Sequence, residues 1–333
     1  MTIVLVPLLF AAVLVTAVLG GPRLVRAAAP ALMRAPRTAV ALLLGAGALW
    51  LLASAALILM LAWLISGPAI LPASITGVCQ RCLAASSPFS SAGVIETFVP
   101  AALLLVLPAI GLAVLLGIAV FRGLRRRRVT VATANDIAAR AQHANIDGYP
   151  VLLTGDAQPT AYSLPQRHGG IVISHALIAT LRPDELAAVL AHEQEHVHGR
   201  HHLVLALIEV ALAPLHWLPL MSAIRNAVPH YLEIAADNAA QRHAGTPTLA
   251  SALLKLGNSQ TTATASGERG NVGVLLHAAG PDRIRHLISP PRIGSAIAPL
   301  SALGVAPIVF AVATAAVHGP YISVIITGCP LMV

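Results

Sequence analysis

Four stretches of the chain are apolar and carry no charge over lengths that suit a membrane crossing. They cover residues 2–19, 38–67, 97–121 and 293–333, and in the last of these residues 294–317 suit one crossing. A transmembrane helix needs about 20 predominantly apolar residues. The pattern therefore predicts a mainly α membrane protein with about four transmembrane helices.

Between the third and fourth apolar stretches the pattern changes to short elements with polar breaks. Ala161–Leu164 and Gly170–Ser174 predict two strands separated by a polar turn. Pro183 followed by Asp184 and Glu185 is typical of a helix start, because proline suits the first turn and acids suit the positive end of the helix dipole. This part of the chain is therefore predicted to be an α+β domain with a small β-sheet.

These patterns divide the chain into three parts. A three-span membrane region covers residues 1–122, with an external loop at 67–96. The α+β domain covers residues 123–292. Residues 293–333 hold the fourth span and a short external tail.

A further apolar stretch, residues 203–221, is long enough to span but contains Glu209. A charge in the middle of a bilayer is costly. We expect this stretch to be a buried or membrane-resting helical element, bent near Pro214, rather than a crossing.

The charge distribution indicates which side each segment occupies. Hydrophobic residues make up 57% of the 333, charged residues 10%, and the formal net charge is +8. Residues 129–292 are nearly balanced, with 11 basic and 12 acidic residues, so the excess lies beside the spans. The flanking arginines are Arg23, Arg26, Arg34, Arg37, Arg122 and Arg125–Arg128. The positive-inside rule then predicts that the domain at 123–292 is cytoplasmic and that the amino terminus is outside. Because the excess arginines lie beside the spans, they are interpreted as topology anchors, and no direct nucleic-acid partner is predicted.

The three cysteines agree with this orientation, because Cys79, Cys82 and Cys329 all fall in segments predicted to be external. A single Cys-x-x-Cys pair is a weak signal for a zinc site. A local disulfide, or pairing with Cys329, is the simpler interpretation.

The strongest chemical signal is His192-Glu193-Gln194-Glu195-His196. On a helix, residues four apart lie on the same face, so His192 and His196 can bind one metal ion. Glu193 is rotated by about 100° from His192. Its carboxylate can act as the general base for a water that zinc activates, which predicts a zinc peptidase with one ion.

A third ligand is predicted 37 residues after His196. Glu233 and Asp237 lie four apart on one predicted helical face. We assign Glu233 to the metal and Asp237 to orienting a ligand imidazole.

An alternative third ligand is His202, because residues 192–202 also fit the longer metzincin pattern with Gly199 at a turn. That arrangement needs the helix to break at Gly199 and a methionine turn under the metal. Residues 203–208 favour a continuing helix, and Met221 has no turn residues beside it. His198, His201 and His202 are therefore interpreted as a solvated, polar end of the helix.

Leu181–His202 and Leu232–Arg242 resemble the bacterial BlaR/MecR-type membrane metallopeptidases, the β-lactam-sensor family. Weaker similarity at Ala161–Leu164, Ile171–Ser174, Leu253–Leu256 and Arg283–Leu287 extends the resemblance over roughly residues 123–292. It implies a gluzincin with His192, His196 and Glu233 on zinc, Glu193 as base and Asp237 behind the ligands. The chain differs from the full-length sensors in that only a short segment follows the last span, where they carry a penicillin-binding domain.

The chain is predicted to be a membrane-embedded, zinc-dependent endopeptidase. Its predicted role is regulatory proteolysis of a cytoplasmic protein such as a transcriptional repressor. One alternative is a quality-control protease like the heat-shock and prenyl-protein membrane proteases, which share the motif. Another is a non-hydrolytic, metal-containing membrane sensor. Membrane lipid and a second copy of the chain are further candidate partners.

Two further predictions concern a substrate-binding strand and a loop. The strand containing Ile171, Val172 and Ile173 is expected to bind the extended substrate peptide. Residues 258–271 are small and polar and are expected to form a mobile loop.

Overall fold

The computed structural model describes residues 2–66, 101–265 and 297–327. Three long helices come first in the chain: α1 (Thr2–Leu32), α2 (Pro36–Ser66) and α3 (Ala101–Arg140). A fourth, Ile297–Thr327, closes the described part. Each is long and apolar enough to cross a membrane. This confirms the predicted fold class of an integral membrane protein with four candidate spans.

The membrane helices continue beyond the predicted spans. Helix α1 runs on through Arg23 and Arg26 to Leu32, and α3 runs through the arginine cluster to Arg140. The predicted domain boundary at residue 122 therefore falls inside one continuous helix. The predicted external loop at 67–96 and all three cysteines lie outside the described residues.

A four-stranded mixed sheet follows α3. Its strands are β1 (Gln142–Ile146), β2 (Tyr149–Thr154), β3 (Ala161–Ser163) and β4 (Ile171–Ser174). The spatial order is β1-β2-β4-β3, with β2 and β4 parallel and the other two pairs antiparallel. Strands β3 and β4 were predicted from the sequence, whereas β1 and β2 were not.

Helices then build the rest of the domain. They are α4 (His175–Thr180), α5 (Pro183–His198), α6 (His201–Ala211), α7 (Pro219–Ala244) and α8 (Thr246–Ala265), and the helix at Ile297–Thr327 is α9. One core joins the sheet to α4, α5 and α8 through apolar side chains such as Ile173, Leu177 and Leu190. A second core joins α7 to α1 and α2 through Leu43, Met221 and Ile224. Helix α7 thus packs against the membrane helices α1 and α2 and also against α5.

The structure agrees with one local prediction from the sequence and contradicts another. The apolar stretch at 203–221 forms α6, a short 3₁₀ turn at Ala213–Leu215 and the start of α7, which agrees with a bend near Pro214. In contrast, the mobile loop predicted at 258–271 is wrong for its first half, because α8 continues to Ala265. Small and polar residues extend a helix that already begins on a buried apolar face at Leu249 and Leu253.

A buried carboxylate fixes the start of α5 against α8. Glu185 is fully buried, and it accepts hydrogen bonds from Ser251 Oγ at 2.7 Å and Lys255 Nζ at 2.6 Å. The backbone N–H of Arg182 also donates to it, at 2.8 Å. Burial alone would raise the pKa of Glu185, but these donors together lower it to about 2.

Replacing Lys255 with Met is expected to lower the free energy of unfolding by about 2 kcal/mol, because a buried charged acceptor loses a donor. For a domain of this size the melting temperature should fall by roughly 4–8 °C. Since the folded-state pKa of Glu185 lies below its ordinary value, the loss should be full above about pH 4.5 and vanish as the pH approaches about 2. Lys255→Arg keeps a donor and serves as the control in thermal unfolding of detergent-solubilised protein. Equal melting temperatures for the Met and Arg variants would contradict the assignment.

Candidate active site

Helices α5 and α7 bring three potential metal ligands together. His192 and His196 lie one turn apart on α5, and Glu233 lies on α7; all three are buried. The two Nε2 atoms of the histidines are 3.1 Å apart. The Glu233 carboxylate oxygens lie 3.6 Å from His192 Nε2 and 3.5 Å from His196 Nε2.

These distances fit a tetrahedral metal site. Zinc binds imidazole nitrogen and carboxylate oxygen at about 2.0–2.2 Å, so ligand atoms at tetrahedral corners stand about 3.4 Å apart. The two imidazole nitrogens are 3.1 Å apart, and each lies 3.5–3.6 Å from a different oxygen of the Glu233 carboxylate, so the separations are close to that value. Two imidazoles and one carboxylate are also the ligand set of catalytic zinc sites that keep a fourth position open.

Asp237 supports the site one helical turn after Glu233. Its Oδ1 lies 3.1 Å from Nδ1 of His192, the ring nitrogen that does not face the other two ligands. Burial lowers the pKa of His192, but its contacts with the Asp237 and Glu233 carboxylates outweigh burial and raise it to about 10. The two carboxylates therefore stabilise positive charge at this position, where a bound metal ion would take the place of the proton.

Glu193 follows His192 on α5 and is buried, with 4% of its surface exposed. On a helix, Glu193 is rotated by about 100° from His192, so its carboxylate points away from the face that carries the two histidines. Its burial places it on the side of α5 that faces the protein interior. A general base must lie within hydrogen-bond reach of the water that it deprotonates, and Glu193 directly follows His192 on α5.

Helix α5 ends beside the site, and this corrects the sequence analysis. The prediction that the helix continues past Gly199 is wrong, because Arg200 adopts a left-handed backbone conformation with φ of 50° and α6 begins at His201. Among the described residues, the break does not bring His202 into the group that could hold a metal ion, which consists of His192, His196 and Glu233. Met221 lies within α7 and forms no turn.

The break instead buries His201, which the sequence analysis placed at a solvated helix end. Only 3% of His201 is exposed, and its Nδ1 lies 2.7 Å from Nδ1 of His196. A Cβ at Gly199 would stand 2.4 Å from His201 Nε2, so glycine is required for this close approach. The sequence feature that could have revealed this contact is a histidine five residues after His196, directly after a glycine and an arginine.

Burial lowers the pKa of His201, which favours its neutral form. A neutral His201 can accept a hydrogen bond from Nδ1–H of His196 and leave His196 Nε2 free to bind a metal. We expect His201→Ala to weaken zinc affinity by about 10- to 100-fold, as loss of a ligand's hydrogen-bond partner does. His201→Gln retains an acceptor and should restore part of that loss, while His202→Ala should change little. Competition with a chelator of known affinity measures this without substrate, and equal affinities for His201→Ala and His202→Ala would refute the assignment.

A second contact that the sequence analysis missed links α5 to the membrane region. Arg37, at the start of α2, donates from Nη2 to Glu195 Oε1 at 2.5 Å and from Nε at 3.2 Å. Glu195 is one of the two variable positions between His192 and His196, and 9% of its side chain is exposed. Helix α5 is thus held at the amino-terminal end of α2.

The sequence predicted that Ile171, Val172 and Ile173 bind the substrate peptide. Binding by backbone pairing at the edge of the sheet is wrong for this strand. Strand β4 is hydrogen-bonded to β2 on one side and β3 on the other, and these three side chains are buried. Its backbone therefore has no free edge. The strand at the end of the sheet, next to β4, is β3.

The outward groups of β3 follow from its register. Leu164 N–H donates to Gly170 O, and Ser174 N–H donates to Thr160 O. In an antiparallel pair, hydrogen-bonded and non-bonded residues alternate, so Ala161 and Ser163 point their N–H and C=O groups away from β4. Among the described strands, none pairs with that side of β3.

Comparison with known proteins agrees with this geometry. Residues 124–289 match Peptidase family M48. The chain carries an M48 peptidase domain. Families of this kind depend on a metal, and the match covers α5, α7 and the sheet.

A curated relative points the same way. Over 75 residues the chain is 37% identical to Protease HtpX of Psychrobacter sp. (strain PRwf-1), which is 22% of this chain and 25% of that protease. The chain therefore spans about a quarter of that relative's length in the match. No solved structure matches the chain. The chain is accordingly a membrane protein with an M48 metallopeptidase domain. The narrower resemblance to the β-lactam sensors stays a prediction.

Proposed function

We propose that this protein is a membrane-embedded zinc endopeptidase with a single zinc ion. The observation that carries the proposal is the convergence of His192, His196 and Glu233 to separations close to tetrahedral, with Glu193 buried on the same helix as the two histidines. Two histidines, a glutamate ligand and a neighbouring glutamate base form the gluzincin arrangement.

The protein groups have separate tasks in this proposal. The two histidines and Glu233 hold the ion, Asp237 orients His192, and His201 orients His196. Zinc, when bound, supplies a Lewis acid that polarises a peptide carbonyl and lowers the pKa of a water molecule. Glu193 accepts the proton from the attacking water and later donates a proton to the leaving amine.

A substrate peptide is best accommodated along β3. The N–H and C=O groups of Ser163, a partly exposed residue, point away from β4, so an extended peptide can pair with them by strand addition, whereas Ala161 is buried. Strands β3 and β4 pack against α5, which keeps such a peptide close to the metal-binding helix. Backbone pairing of this kind holds the interior of a chain and therefore favours an endopeptidase.

Two candidate substrate classes are supported, one by the resemblance to the β-lactam-sensor family and the other by the similarity to Protease HtpX. A cytoplasmic regulatory protein such as a transcriptional repressor is the first candidate, and damaged membrane proteins, as in quality control, are the second. Comparing the membrane and cytoplasmic proteomes of wild-type and Glu193→Gln cells separates them. A single protein that accumulates in the variant supports regulation, many membrane proteins support quality control, and no change would refute proteolysis.

The topology is a further part of the proposal. The arginines of α1, α2 and α3 indicate that their shared end faces the cytoplasm, and the Arg37–Glu195 contact holds α5 at that end. Reporter fusions at Arg128 and Gly257 should both report cytoplasm, and fusions at Ser90 and after Val333 should report the exterior. If Arg128 and Gly257 fell on opposite sides, the proposed orientation would be wrong.

A further inference from the structure

A large apolar cleft lies in the membrane region, apart from the metal site. It has a volume of about 580 Å³ and lies between α1, α2, α7 and α9. Small residues on α1 and α2 open it, including Ala17, Gly20 and Ala46, and Leu220, Leu303 and Phe310 close it.

The cleft offers little to water. The two polar side chains in its lining are already bonded to backbone: Thr16 Oγ1 donates to Ala12 O at 2.7 Å, and Trp50 Nε1 donates to Leu14 O at 3.1 Å. Apolar cavities without polar partners stay dry and bind hydrocarbon instead. The ligand must therefore be a hydrocarbon.

The size and shape of the cleft select a single chain. An engineered cavity of about 150 Å³ binds benzene, so about 580 Å³ accommodates roughly two dozen carbon atoms. Lining residues on α1 extend from Leu9 to Val25, which is about 24 Å of helix. The lining therefore follows α1 over a length that suits one extended hydrocarbon chain.

The charge at one end identifies the head group. Arg23 and Arg26 are exposed on α1 at the level of Leu24 and Val25, where the cleft ends. Within the described part of the chain, neither arginine forms an ion pair with a carboxylate. Two such cations at the end of a hydrocarbon cleft complement an anionic phosphate group.

We propose that this cleft binds one acyl chain of an anionic phospholipid, with the lipid phosphate at Arg23 and Arg26. The lipid also contacts Leu220 and Ile224 of α7, and Glu233 follows nine residues after Ile224 on the same helix. Bound lipid should therefore stabilise the packing of α7 against α1 and α2.

The glycines of the membrane helices provide a matched pair of variants. A Cβ would meet no atom within 4 Å at Gly20 or at Gly45, so both positions tolerate a side chain. Gly20 lines the cleft, whereas Gly45 lies on the exposed side of α2. Gly20→Leu should fill the cleft, and Gly45→Leu should add the same side chain outside it.

Native mass spectrometry of the full-length protein in neutral detergent, titrated with phosphatidylglycerol or phosphatidylcholine, measures the site. Wild type and Gly45→Leu should bind one phosphatidylglycerol with equal affinity and melt at a higher temperature when it is present. Gly20→Leu should bind it about tenfold or more weakly. The Arg23→Gln/Arg26→Gln protein, altered only at exposed positions, should lose the preference for phosphatidylglycerol over phosphatidylcholine.

Equal phosphatidylglycerol affinity in Gly20→Leu and Gly45→Leu would overturn the proposal and indicate lipid bound nonspecifically to the outer surface. An unchanged head-group preference in the double arginine variant would also overturn it. So would a Gly20→Leu protein that binds lipid normally but fails to cleave a membrane-anchored substrate, because the cleft would then receive substrate.

Discussion

Replacing Glu193 with Gln is expected to reduce peptide hydrolysis by about 100-fold or more while leaving zinc bound. The amide has the shape of the carboxylate, but it cannot accept a proton from water at neutral pH, and loss of a general base costs about this much. His192, His196 and Glu233 are unchanged, so the metal content should stay at about one equivalent. Hydrolysis of a fluorogenic peptide and metal analysis of the same purified sample measure both quantities.

The same variant distinguishes a protease from a metal-containing sensor. A protease should lose its output in the cell in both His192→Ala and Glu193→Gln. A sensor that needs the metal but not hydrolysis should lose output in His192→Ala and keep it in Glu193→Gln. That second pattern, with zinc confirmed in the Gln variant, would remove the protease assignment and leave only the fold.

Replacing Glu233 with Ala is expected to remove most of the zinc. In the proposed site this carboxylate is one of three ligands, its oxygens lie 3.5–3.6 Å from the imidazole nitrogens, and α7 offers no second carboxylate that faces both histidines. Asp237, one turn later, faces Nδ1 of His192 rather than the metal position. Asp237→Ala should therefore cost less, about 10- to 100-fold in affinity or activity.

His202→Ala is the matched control for Glu233→Ala, because His202 is the third ligand in the alternative metzincin arrangement. Its zinc content should equal that of wild type. If His202→Ala lost the metal and Glu233→Ala kept it, the ligand set assigned to α5 and α7 would be incorrect.

The membrane region was predictable because its signals are local. Four uncharged stretches of sufficient length predict four spanning helices, and the length of each apolar stretch is enough to place them. The His192, Glu193 and His196 group was equally accessible, because helical spacing alone puts the two histidines on one face. Glu233 was harder, since only the three-dimensional pairing of α5 with α7 brings it to the site.

The missed features depend on chain reversals and on sheet order. Burial of His201 requires the left-handed conformation at Arg200, a non-glycine residue for which no propensity predicts positive φ. The middle position of β4 follows from a parallel pairing with β2, a strand the sequence analysis did not identify. Asp147-Gly148, with positive φ at both residues, was a hairpin signal between β1 and β2 that could have revealed that strand.

The most direct test of the central claim is metal removal and reconstitution with peptide cleavage as the readout. Purified protein is stripped with a chelator, dialysed, and titrated with zinc, and hydrolysis is followed beside the Glu193→Gln protein. The account predicts that cleavage disappears with the metal, returns in full at about one equivalent of zinc, and stays absent in Glu193→Gln although that variant binds the same equivalent. Cleavage that continues in protein shown to be free of metal would contradict it.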